Sequence, residues 1–188
     1  MDLTFLTPHL SSDGIAKIDD TFRYLDALSC ITKKSPKKSS IEVALNDFGA
    51  LELIYKEYTH LVPVWGRLFS KYFGVEEFMY SFGVTRMEFD SVDLVDRCSC
   101  RNKSFYYPYR YVTNTRFCPV AGLDRKEELL RGIIPCNKEC IGKEYWVINQ
   151  DVLPRLLLKG NTLFLKESLK EREMNGVDRL IFEPSVPL

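Results

Sequence analysis

A chain of 188 residues and 21.9 kDa, 45% hydrophobic and 28% charged, has the size and composition of an ordinary globular domain, which excludes a fibrous or wholly disordered protein. Its 26 basic and 26 acidic residues cancel, removing the whole-chain positive field of a nucleic-acid binder and leaving only a local patch as an option. No apolar run approaches the ~20 residues that span a bilayer, and the start, MDLTFLTPHL, lacks an export signal, so a cytoplasmic protein without membrane association is expected.

Leu3 and Phe5 predict a short strand ending at Pro8. Ser11, Ser12 and Asp13 then offer helix caps, and Ile15, Ile18, Phe22, Leu25 and Leu28 recur at helical spacing. The segment SCITKKSPKKSS breaks that pattern as a basic, Ser/Pro-rich loop, read as a solvated loop ahead of a nucleic-acid patch. IEVALND is the second strand, followed by a helix carrying Leu51, Ile54, Tyr55 and Tyr58. LVPVWGR is the third strand, a short helix runs from Glu76 to Phe82, and VTRMEFD is the fourth strand. SFYYPYRYVTNT, dense in aromatic and branched residues, reads as one fifth strand. Beyond it EYWVI, TLFL and DRLIFEP read as short strands, with a helix from Val152 to Leu158.

Strand and helix alternate at about 20 to 30 residues, which predicts an α/β fold with parallel strands, a (β/α) barrel-like single domain over 1–188. In such folds sites form at the carboxyl ends of the strands. The polar residues there are Asn46 and Asp47, Arg67, Glu88 and Asp90, and Thr113 to Arg116. Each has a structural alternative: Asp47 as a helix cap, Arg67 and Glu88 as an ion pair. As a set, Asn46, Asp47, Arg67, Glu88 and Arg116 are the candidate catalytic residues, with the arginines suited to an anionic substrate. Tyr106, Tyr107, Tyr109 and Tyr111 offer a stacking wall or, alternatively, core packing.

Of six cysteines, at 30, 98, 100, 118, 136 and 140, five fall in a cysteine-rich insert at about 96–142. In a reducing compartment they read as metal ligands or buried thiols before disulfides. Thiolates are the usual ligands of zinc and of iron–sulfur clusters, and a C-x3-C pair lets two sulfurs reach one centre from a single turn. Cys118, Cys136 and Cys140 then need a fourth ligand. Cys98 or Cys100 is expected to supply it, because both follow the fourth strand and are placed near its carboxyl end. Cys30 is expected at the opposite end as an inert thiol.

IEVALNDFGALELI, LVPVWGRLFSK, GVTRMEFD and YRYVTNTRFC resemble successive strand-end motifs of the collagenase-like peptidase family, number thirty-two among peptidases of unknown type. The shared elements are an "N-D-x-G" strand end, a "G-R-x-L" turn, a "gv-x-R-x-E" strand and an "R-x-C" turn followed by grouped cysteines, over roughly residues 41–140. The resemblance implies a (β/α) barrel and, in one branch, oxygen-independent hydroxylation of quinone precursors or RNA bases by a [4Fe–4S] protein. Cys118 matches the "R-x-C" cysteine, and Cys136 with Cys140 matches the C-x3-C pair. The fourth position varies within the family, so Cys100 or Cys98 remains a geometric choice.

Two features depart from the family. Seventeen residues separate Cys118 from Cys136, including a helix-like DRKEELLRG, and the first βα units with their "G-A-D" turn have no counterpart. A full eight-stranded barrel needs about 200 to 250 residues, so an abbreviated or incomplete barrel is expected. Its exposed edge implies a homo-oligomer or a homologous partner subunit. The leading expectation is an iron–sulfur redox enzyme or hydroxylase subunit. A zinc-stabilised non-catalytic subunit and a peptidase are the alternatives, the last poorly supported because His9 and His60 lie in no metalloprotease motif.

Overall fold

The structure is a computed structural model that describes residues 3–8, 10, 12–34, 39–71, 74–114, 119–124, 137–149, 152–167 and 176–187. In chain order the first elements are β1 (Leu3–Leu6), α1 (Ser12–Lys33), β2 (Ile41–Leu45), α2 (Phe48–Glu57), β3 (Val62–Trp65), α3 (Glu76–Ser81), β4 (Arg86–Phe89) and α4 (Val92–Arg97). They are followed by β5 (Asn102–Tyr107), β6 (Tyr109–Asn114), α5 (Pro119–Asp124), β7 (Tyr145–Asn149), β8 (Val152–Lys159), β9 (Thr162–Lys166) and β10 (Arg179–Phe182). Two compact units result: Met1–Phe105 with Met174–Leu180, and Tyr106–Glu173 with Ile181–Leu188. No helix among the described residues is long and apolar enough to cross a membrane.

A six-stranded sheet, in the order β1-β2-β3-β4-β5-β10, organises the first unit, giving a mixed α/β chain with a parallel sheet. Register sorts its side chains. Glu42 lies beside Val62, Val64 beside Arg86, and Glu88 beside Ser104, so these residues share one face. Val43, Leu45, Trp65, Met87 and Phe89 share the other, where Phe22, Leu51, Ile54, Met79 and Val95 from the helices complete a core that excludes water. The amphipathic spacing of α1 is therefore used only in part: Phe22 and Leu25 are buried, and Ser29 is buried with its hydroxyl donating to the His60 carbonyl (2.7 Å).

The polar face is concave. β2 and β10 are separated by three strands, which in a flat sheet would place them about 19 Å apart. Instead the Arg179 guanidinium at the start of β10 makes a two-pronged contact with the Glu42 carboxylate at the start of β2. Only a strongly curled sheet allows this, which makes it a half-barrel. Among the described residues β1 and β10 end it.

A second sheet, antiparallel in the order β6-β9-β8-β7, organises the second unit around Tyr109, Leu157, Phe164 and Val186. Three expectations change here. The fifth strand is two strands, because Pro108 has no N–H to donate to a ladder, and β5 and β6 join different sheets. Residues 152–158 form β8 rather than a helix. Pro154 disfavours a helix interior, and it falls where the β7–β8 register shifts. Gly160, at φ +60°, then opens the tight turn into β9, which closes with Lys159 opposite Thr162. Finally, α4 was not expected at all, and it alters where two of the cysteines lie. Lys37 and Lys38 of the basic loop, and most of DRKEELLRG, lie outside the described residues.

Candidate functional site

The carboxyl ends of β2, β3 and β4 carry a cluster of buried polar groups: Asn46, Arg67, Glu88 and Asp90. Asn46 works as a fastener across three strands. Its amide donates to the Thr7 carbonyl beyond β1 (2.8 Å), its Oδ1 accepts from the Leu68 amide beyond β3 (3.0 Å), and its own N–H donates to Thr7 Oγ1 (3.3 Å). Gly66, at the end of β3, lets that amide in, since a Cβ there would stand 2.3 Å from Asn46 Oδ1. Asp47 is the N-cap of α2, accepting from the Gly49 and Ala50 amides at 2.8 and 3.2 Å. This is the capping role named as its alternative. Asp47→Ala is expected to lower stability by about 1 kcal/mol in urea denaturation without altering any binding at Arg67.

Arg67 lies in the turn after β3, 6% exposed, and Glu88 and Asp90 are fully enclosed on and just beyond β4. Three ionisable side chains thus sit in the carboxyl-end half of the half-barrel, where a barrel core would carry branched aliphatics. Thr113 and Asn114 end β6, in the second unit, and Arg116 lies outside the described residues.

Sequence reasoning missed a larger network at the amino end. Glu42 accepts from Arg179, from Thr4 Oγ1 (3.0 Å) and lies 3.6 Å from Arg86 Nε. Arg86 in turn forks onto Asp178 (2.8 and 2.7 Å) and reaches Ser104 Oγ (3.1 Å). Burial alone would raise the Glu42 pKa, but the hydrogen bonds and charge of Arg179, then Thr4 and Arg86, hold it below the ordinary value. Asp178 is lowered chiefly by its Arg86 hydrogen bonds, against burial, and Arg179 is raised chiefly by Glu42. Charged residues at 42, 86 and 88 in otherwise apolar strands were the available signal.

The cysteines separate. α4 returns the chain to the amino end of the sheet before Cys98 and Cys100, so they precede β5 there, opposite the carboxyl-end cluster. Their expected position near the carboxyl end of the fourth strand is corrected. Both are buried; the Cys98 thiol contacts the Met87 sulfur at 3.4 Å and accepts from the Cys100 amide at 3.3 Å. Hydrogen bonding from the Cys100 side chain holds the Cys98 thiol down to about 7, and the same bond, with burial, pushes Cys100 up. Cys30 lies near the end of α1, half-buried. In the second unit Cys140 is half-buried in a turn, its sulfur 3.9 Å from where a Cβ on Gly160 would stand. Cys118 and Cys136 lie outside the described residues. Among the described residues no group of three or more His, Cys, Asp or Glu side chains gathers to hold a metal.

Two further candidates resolve structurally. His60 is fastened by Asp26, through its N–H (2.8 Å) and its Nδ1 (3.1 Å), while the Ser29 hydroxyl addresses its carbonyl rather than its ring. Tyr109 belongs to the second unit's core, and Tyr111 packs edge-on against Phe164. No protein-family model, curated protein or solved structure matches the chain.

Proposed function

We propose that the chain is an iron–sulfur protein serving an oxygen-independent redox modification of an organic substrate, of quinone-precursor or RNA-base type. The observation that carries this reading is the sequence pattern of Cys118 followed by the C-x3-C pair Cys136 and Cys140, of which Cys140 is a free, half-buried thiol in a turn. Thiols are donors of the right chemistry for a [4Fe–4S] cluster, or for zinc, once a fourth ligand joins these three. A bound cluster would supply or accept electrons one at a time. Cys98 and Cys100 already have partners at the amino end of the sheet, which weakens the case for either as fourth ligand. In the first unit the Arg67 guanidinium is the group suited to an anionic substrate, with Glu88 and Asp90 buried at the same end of the sheet, and Asn46 holds the turn that carries Arg67 through the Leu68 amide.

A second reading rests on the open sheet. β1 ends it with Leu3 and Leu6 exposed, which favours a structural subunit completed by a second copy or a homologous chain. Anaerobic purification with iron and sulfide assays separates the two. About four irons per chain with a broad visible absorption, both lost in Cys118→Ala, is the expected result. About one zinc per chain in a colourless protein would transfer the proposal to the structural subunit.

A further inference from the structure

The amino end of the parallel sheet brings three sulfurs together, away from the carboxyl-end cluster. Met87 points to the helix-covered face of β4, and Cys98 closes α4 directly over it, leaving their sulfurs 3.4 Å apart. Cys100 follows after one residue. Its thiol lies 3.7 Å from the Asn102 carbonyl, and its amide donates to the Cys98 sulfur at 3.3 Å. None of the three is more than 7% exposed, yet Ser99 between the thiols is exposed, so the sulfurs lie one residue beneath the surface. The Lys103 ammonium is fixed beside them on the Val95 and Cys98 carbonyls, both at 2.7 Å.

We propose that Cys98, Cys100 and Met87 form a binding site for a monovalent soft cation, copper(I). Two thiolates and a thioether are the donor set that selects copper(I) over harder metals. Zinc would require a fourth ligand for its tetrahedron, and no third His, Cys, Asp or Glu joins the cysteines among the described residues. Charge agrees with a monovalent ion: two thiolates holding one copper(I) leave a single negative charge, and Lys103 supplies its neutraliser. The amide donated by Cys100 orients the Cys98 sulfur and stabilises it as a thiolate, as outer hydrogen bonds do for metal ligands in general. This site shares no residue with Cys118, Cys136 or Cys140, and it takes Cys98 and Cys100 out of the cluster reading, whose fourth ligand must then come from elsewhere.

The test is an anaerobic titration of the full chain with copper(I) held by a chromogenic chelator, the four methionines carrying 13C methyl groups. One equivalent is expected to move the Met87 methyl resonance, assigned with Met87→Leu, and to leave those of Met1, Met79 and Met174 in place. Cys98→Ser and Cys100→Ser should each weaken that uptake by more than the roughly 100-fold that loss of an outer-sphere partner costs. Met87→Leu, which keeps the core volume and so the fold, should weaken it less. The same Met87 shift in Cys118→Ala would locate the copper independently of any cluster. An unmoved Met87 methyl, or unchanged uptake by Cys98→Ser, overturns the proposal and assigns the copper to the other cysteines.

Discussion

Glu42→Gln is expected to lower the stability of the chain by about 3 kcal/mol, read as the shift in urea midpoint at constant slope. Glutamine keeps the shape of the side chain and removes its charge. Arg179 then keeps one neutral amide oxygen and meets an NH2 donor in place of the other, and Arg86 loses one of its two acidic neighbours, inside a face that is only about one-eighth exposed at Glu42 and Arg86. The expected cost stays at the low end for a broken buried pair because Arg86 keeps Asp178 and because Arg179 is 32% exposed. Acid should reproduce the effect in the natural chain. Glu42 and Asp178 both have folded-state pKa values below their ordinary 4.5 and 3.8, so the unfolded chain binds more protons across that interval. Their contribution is therefore complete above about pH 5 and is lost as pH falls through the lowered folded values. Glu42→Gln should flatten this acid limb, and an unaltered limb would mean that the Arg179 contact carries no net stability.

Gly66→Ala is the second large effect, again about 3 kcal/mol, or a melting temperature lower by roughly 6 to 12 °C. The added Cβ would lie 2.3 Å from Asn46 Oδ1 and 2.7 Å from the Leu45 carbonyl oxygen. Neither can give way cheaply. The Leu45 oxygen is backbone and already accepts the Gly66 amide at 2.8 Å. Asn46 could swing aside only by abandoning the Thr7 carbonyl and the Leu68 amide, stranding buried groups. Whichever yields, the turn that carries Arg67 moves with it, so the proposed grip of Arg67 on an anion should weaken in the fraction that still folds. A melting temperature within 2 °C of the natural chain would show that the Asn46 fastener is slack.

These two residues also mark how far the sequence could be read. Period and caps were enough for β1 to β4, α1 and α2, because each strand is a short run closed by a breaker: Thr-Pro after β1, Asn-Asp after β2, Gly after β3 and Asp after β4. The parallel sheet followed from the alternation. The G-R pair was visible as a motif, but the reason for its glycine, an asparagine side chain arriving from the neighbouring strand, is a contact across twenty residues that no local pattern carries. Glu42 and Arg179 are 137 positions apart. Their partnership exists only because the sheet curls, and curl is not written in any one strand. α4 was missed because its six residues, VDLVDR, bury only Val95 and present no apolar stripe, and that omission moved Cys98 and Cys100 to the wrong end of the sheet. β8 was mistaken for a helix because Leu156, Leu157 and Leu158 satisfy either period. Pro154 and Gly160 were the signals that should have decided it. Of the three thiols proposed for a cluster, only Cys140 is among the described residues, so for Cys118 and Cys136 the sequence pattern is the argument.

The position of β10 has a consequence for biosynthesis. Unit one is interrupted after Phe105 and resumes only at Met174, so its last strand leaves the ribosome some seventy residues after β5. At about 5 to 20 residues per second that is roughly 4 to 14 seconds, long compared with the formation of helices and hairpins. Throughout that interval Glu42 has no Arg179 and Arg86 has no Asp178, and the edge of β5 that later accepts β10 stands open. The nascent chain thus spends seconds with Glu42 and Arg86 left to each other, short of their second partners, and with a strand edge uncovered. Quality-control factors that recognise unpaired strand edges have their opportunity in that interval, and the arrival of Asp178 and Arg179 ends it.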